Sequence, residues 1–178
     1  MKKNAIGVSP GFRAMLLLGI CATLSIAASA SAKEPTRKLI ISGGRLAHPV
    51  EIVDPATLAL SDLFAGNYLD TARHAAPEPR RLPQYEVSFY LPDDRGNALE
   101  RLFARTRLYR AYVVRLALDS AQHTAYVYIP GDGDTRSARN HGVIIRSELE
   151  GHWTYASDAW ARRISDAIRH AKTRAAPA

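Results

Sequence analysis

Residues 84–91 alternate apolar and polar side chains one by one, and 108–129 do so again on either side of a short polar stretch. Tyr85, Val87, Phe89 and Leu91 fall on one side of an extended chain, with Glu86, Ser88 and Tyr90 on the other. Tyr112, Val114, Leu116 and Leu118 share a side, as do His123, Ala125, Val127 and Ile129 opposite Thr124, Tyr126 and Tyr128. A helix cannot gather residues two apart onto one stripe, whereas a strand does so by its pleat. These segments therefore predict half-buried strands, the last two joined as a β-hairpin through 119–122.

Shorter β-rich runs stand at 38–42, closed by Gly43-Gly44, at 50–53, and at 143–147 and 151–155, the last two expected to pair as a hairpin. Two segments have helical grammar. In 54–65, Asp54 is a natural N-cap, Pro55 suits the first helical position, and Val53 and Leu58 are spaced as a hydrophobic staple. In 157–172, Ser157 caps, and Trp160, Ile164, Ala167, Ile168 and Ala171 repeat at helical spacing. Residues 173–178 are expected to fray. Strands that follow strands through short turns make an antiparallel sheet. The expected fold is α+β: one domain, a mainly antiparallel sheet of short strands, and two helices, 54–65 and 157–172, on one face.

Residues 1–32 read as a secretory signal peptide. Lys2, Lys3 and Arg13 form a basic head, 14–28 is an apolar run, and Ala28-Ser29-Ala30-Ser31-Ala32 offers Ala-x-Ala cleavage sites, with the cut expected after Ala32. The run is short for a membrane span and is diluted by Gly19, Thr23 and Ser25. The remaining 33–178 is expected to be a single domain without a span, exported to the periplasm or, as a second reading, to the outside. Cleavage lowers the formal charge from +7 to +4 and removes Cys21, the one cysteine. Such a product has no disulfide and no cysteine nucleophile. Its basic groups have acids close in sequence, as with Glu78 before Arg80-Arg81, so no basic face for nucleic acid is expected.

Candidates for chemistry are few. In the loop 130–142, Asp132 and Asp134 flank Gly133, a spacing found in oxygen-ligand calcium loops, with no further acid to complete an EF-type pattern. The same glycines, with Arg136 near, would suit an anion, although no Gly-Lys-Ser/Thr follows. A tight turn with aspartates bonding backbone N–H groups accounts for the same residues. His141 and His152 would meet if 143–155 were a hairpin, with Arg146 beside them. No His-Glu-x-x-His, Cys-paired zinc spacing or Gly-x-Ser-x-Gly elbow occurs. Tyr126 and Tyr128 stand opposite the more apolar face of their strand, where they would line a ligand groove or edge the core.

Gly44-x-Leu46-x-x-Pro49-Val50-x-Ile52-x-Asp54-Pro55 and Tyr126-Val127-Tyr128-Ile129-Pro130-Gly131-x-Gly133-Asp134 lead on to Asn140, Ile144-Ile145-Arg146, Gly151-His152-Trp153 and Ala159-Trp160. In these residues the chain resembles small exported bacterial proteins of unassigned function. The resemblance spans most of 33–178 and implies export and a single domain. It carries over no catalytic residue.

The functional expectation is a non-enzymatic exported binding or accessory module for a protein or small-molecule ligand, needing no cofactor. Two alternatives stand beside it. One is a metal- or anion-dependent hydrolase built on 130–142 with His141, Arg146 and His152. The other is a structural domain stabilised by calcium at Asp132 and Asp134. Oligomeric state is not legible in the sequence.

Overall fold

The computed structural model describes residues 35–63, 67–73, 75–92, 107–122, 124–131, 133–136 and 147–175. All of them lie in the second of two units into which the chain divides, Glu34–Ala178. The elements are β1 (Lys38–Gly43), β2 (Val50–Ile52), α1 (Pro55–Leu60), β3 (Gln84–Pro92), β4 (Leu108–Asp119), β5 (Thr124–Tyr128), β6 (Trp153–Tyr155) and α2 (Asp158–Ala175), with one 3-10 turn at Ser147–Leu149. The strands form a six-stranded sheet in the order β2-β1-β3-β4-β5-β6, every pair antiparallel. This is the expected α+β fold. Among the described residues no helix is long and apolar enough to cross a membrane.

The alternation does what period two requires. Tyr85, Val87, Phe89 and Leu91 are buried, and so are Tyr112, Val114, Leu116 and Leu118, Ala125, Val127 and Ile129. They meet Trp160, Ile164 and Ile168 of α2 in one core. Trp160, Tyr68, Phe89 and Tyr112 run through it as a chain of tilted and edge-on rings, with centroids 5.9, 5.4 and 5.8 Å apart, the geometry that aromatic quadrupoles favour.

α1 begins as expected. The Asp54 carboxylate accepts the Thr57 backbone N–H at 2.9 Å and the Thr57 hydroxyl at 2.7 Å, with Pro55 in the first turn. These bonds to the ionised form hold the Asp54 carboxyl below the usual aspartate range. The helix stops at Leu60, sooner than the sequence indicates, because Ser61 is drawn into the core. Its hydroxyl donates back to the Thr57 carbonyl and accepts the Trp160 indole N–H at 2.9 Å, and its carbonyl accepts from Thr36. The staple buries little of Val53, which is 60% exposed. α2 runs on to Ala175 where fraying was expected from 173, with Ser157 capping the Trp160 N–H.

Of the segments expected to pair as a hairpin, 143–147 and 151–155, residues 143–146 lie outside the described residues and Ser147 opens the 3-10 turn. β6 lies against β5, with Tyr126 opposite Tyr155 and Tyr128 opposite Trp153. The outer side of β6 is covered by 69–76. The Asp70 N–H donates to the Tyr155 carbonyl and the Ala76 N–H to the Trp153 carbonyl, both at 2.9 Å. A strand edge so covered presents no free ladder to a second chain.

Candidate functional site

Side chains paired across an antiparallel sheet share a face. Away from the helices one row therefore reads Tyr155, Tyr126, Ala117, Gln84, and the next Trp153, Tyr128, Arg115, Glu86, Ser42. Among the described residues, three buried apolar ones stand outside the main core, Val113, Ala117 and Trp153, and all are on this second face.

The aromatic end of this face is closely stacked. Tyr126 and Tyr155 have ring centroids 5.3 Å apart, and Tyr128 and Trp153 5.4 Å. The Arg115 guanidinium lies over both Tyr128 and Trp153, at 5.3 and 5.5 Å, and donates to the Gln84 side chain. Arg73, reaching in from the segment that covers β6, lies 4.4 Å from the Tyr155 centroid and is held by Asp70 at 2.6 Å. Each ring thus has a neighbouring ring or a cation on its face, which fixes its rotamer. Burial, together with the neighbouring Tyr155, pushes the Tyr126 hydroxyl above the ordinary tyrosine value.

The other end of the face is ionic. Glu86 accepts from Arg110 at 2.5 Å and from Arg136 at 2.9 Å. Arg110 is there because of a bulge. Phe89 pairs with Tyr112 and Tyr90 with Arg110, so Ala111 has no partner and the parity of β4 flips. Strict alternation would have turned Arg110 into the core. Desolvation alone would raise the Glu86 carboxyl, but the two guanidinium groups outweigh it and hold it below the usual glutamate range.

A cleft of about 450 Å³ adjoins the aromatic end, lined by Ala75, Ala76, Glu148, Leu149, His152 and Trp153. Its walls are mostly apolar and its polar groups are few, as in small-molecule sites. Trp153 belongs to both the cleft and the stacked rings. The two residues before it are fixed by backbone bonds, Ile129 N–H to the His152 carbonyl and Gly151 N–H to the Ile129 carbonyl. Gly131 packs on this join. A Cβ there would come within 2.7 Å of the Gly151 nitrogen, so only glycine allows the 130–136 loop to lie so close.

The residues singled out in the sequence are distributed as follows. Tyr126 and Tyr128 lie on the second face and stack on Tyr155 and Trp153. Arg136 is folded back onto Glu86. Asp134 accepts the Arg136 backbone N–H at 2.8 Å and stands 3.5 Å from its guanidinium, so its carboxylate serves the loop itself. His152 is exposed at the cleft. Asp132, His141 and Arg146 lie outside the described residues. Among the described residues no three of His, Cys, Asp or Glu gather as a metal site. Trp153, Arg115 and Glu86 were not among those candidates. Trp153 and Tyr155 stand two apart, a weak period-two signal, while Arg115 and Glu86 follow from the alternation of β4 and β3.

Comparison with protein families, with curated proteins and with solved structures finds no match to this chain.

Proposed function

We propose that this is an exported, non-catalytic binding module and that its ligand seats in the cleft beside Trp153. The observation that carries the reading is Trp153 itself. Its ring is fixed by Tyr128 and Arg115 on the face away from the core, yet it also lines a cleft. Leu149, Ala75 and Ala76 continue the apolar wall, and Glu148 and His152 supply an acceptor and a donor at its polar edge. A flat apolar wall with a few polar groups suits a ligand with one apolar face and several hydroxyls, so a saccharide is the class we favour. The volume of about 450 Å³ falls within the range of small-molecule sites, roughly 300–1,000 Å³. Rings whose rotamers are already fixed lose little freedom on binding. Export, expected from residues 1–32, would bring such a module into contact with cell-wall sugars.

The test is a thermal-shift panel of N-acetylglucosamine oligosaccharides and soluble peptidoglycan fragments on the purified protein. A ligand at about 100 times its Kd adds about 2.7 kcal/mol, a rise of several degrees for a domain of this size. The shift is expected to disappear in Trp153→Ala and to shrink in Glu148→Gln. A panel without shifts, or a shift that survives Trp153→Ala, contradicts the reading.

A further inference from the structure

Far along the sheet from Trp153, the β1–β2 turn and the last turn of α2 enclose a second hollow of about 660 Å³. It is lined by Arg45 to Glu51 on one side and by Ala171, Lys172 and Arg174 on the other. We propose that it binds a phosphate-type dianion, with Arg45 and Arg174 as the principal donors.

The first support is the state of the charges. Several arginines are spent on acids, as in Arg73 with Asp70, Arg80 with Glu78, Arg163 with Asp54, and Arg110 and Arg136 with Glu86. Neither Arg45 nor Arg174 has a hydrogen-bond or ion-pair partner among the described residues, and both line the hollow. Its one acidic group, Glu51, stands 3.5 Å from Lys38. Two guanidinium groups without acids can each offer paired N–H donors to phosphate oxygens.

The second support is the backbone. Gly43, Gly44 and Arg45 are all left-handed, at φ +84°, +57° and +65°. Glycine enters this region at no steric cost, whereas arginine there is strained. Arg45 is the single non-glycine residue in that region among the described residues. Strain of this kind collects at functional sites.

The third support is the tie between the walls. A Cβ on Gly44 would stand 2.0 Å from the Tyr85 ring, so the ring lies flush against the turn. The Tyr85 hydroxyl accepts from Lys172 at 2.9 Å. Turn and helix end are thus joined through one side chain, which fixes Lys172 and sets the backbones that carry Arg45 and Arg174 beside each other. The helix dipole accounts for Lys172 and Arg174 in the last turn of α2. It gives no reason for Arg45, which belongs to another element.

A phosphate dianion reaches an exported protein as a soluble phosphomonoester or as a lipid headgroup, and the experiment separates them. The purified protein is titrated with inorganic phosphate and with glycerol 3-phosphate while backbone amide shifts are followed, and is floated with phosphatidic acid or phosphatidylcholine vesicles. Saturable binding is expected, centred on 45–48 and 171–174 and weakened about tenfold in Arg45→Ala/Arg174→Ala. Binding to the soluble phosphates alone identifies the first source, and Arg45-dependent flotation with phosphatidic acid the second. Arg45→Gly is the sharper variant. It relieves the backbone, so Tm holds or rises by a few degrees, while binding still weakens. Arg162→Ala, on the exposed side of α2, is the charge control and should bind as the natural protein does. The proposal falls if no probe binds saturably, if Arg45→Gly binds normally, or if Arg162→Ala weakens binding as much as Arg45→Gly.

Discussion

On β4, Tyr112, Val114, Leu116 and Leu118 enter the core beneath the helices, while Val113, Arg115 and Ala117 turn to the opposite face. The first set meets other apolar groups, and its polar needs are few. The Trp160 indole N–H, for one, is satisfied by Ser61. The second set meets Tyr128, Trp153, Gln84 and Glu86, and its rings are matched with guanidinium groups. The same strands thus carry a face that stabilises the fold by exclusion of water and a face fixed by stacking and ion pairs. Two tryptophans mark the difference. Trp160, carried by α2, is fully buried in the core, and Trp153 lines a cleft on the other side.

Substitutions should separate the faces by the size of their effect on stability. Trp160→Ala is expected to cost the most, about 3–5 kcal/mol in chemical denaturation, because it removes the end ring of the chain and one of the bonds of Ser61 and leaves a cavity. A loss near that of an exposed residue would mean that α2 does not seal the core. Gly44→Ala comes next, at about 1–3 kcal/mol, since the new methyl would strike the Tyr85 ring and the backbone there is left-handed. A stability unchanged by that methyl would show that the turn is free to move away from Tyr85.

A smaller effect, dependent on pH, is expected on the second face at Glu86. Its folded carboxyl is held below the ordinary value, so its contribution is complete above the unfolded value of about 4.3 and is lost as pH falls through the lower folded value. Glu86→Gln should therefore be less stable than the natural protein at pH 6, with the gap narrowing as pH falls below the unfolded value, measured by urea midpoints. A gap that does not change with pH would place the effect in packing instead of charge. The smallest effect is the coupling of Tyr126 with Tyr155, about 0.5–1 kcal/mol in a double-mutant cycle. No coupling would remove the pair from the account of how this face is fixed.

Much of the sheet could be read from alternation, because burial on one face writes itself into every second residue. The caps at Asp54 and Ser157 were legible for a similar reason, since each bond is local to its helix. The bulge at Ala111 was not, because one inserted residue leaves the composition of β4 unchanged and shows only in its pairing with β3. Nor was the partner of β6, which depends on which distant backbone reaches it first. The cover over its edge is made by the backbone of Asp70 and Ala76, and backbone bonds carry no side-chain signature. At the candidate site, Tyr126 and Tyr128 were visible as tyrosines opposite an apolar face. Trp153 was not, because its place there follows from the β5–β6 register. The turn at Gly43-Gly44 was expected, but its extension through a left-handed Arg45 was not, since nothing in the residue type foretells it.

The most direct test of the two-faced account uses both tryptophans at once. Their two indole N–H signals are followed by NMR as N-acetylglucosamine oligosaccharides and soluble peptidoglycan fragments are titrated in. The account predicts that the Trp153 signal shifts and saturates with one of these probes, while that of Trp160, bonded to Ser61 in the core, stays in place. A Trp153 signal that ignores every probe, or one that moves only together with Trp160, would contradict it.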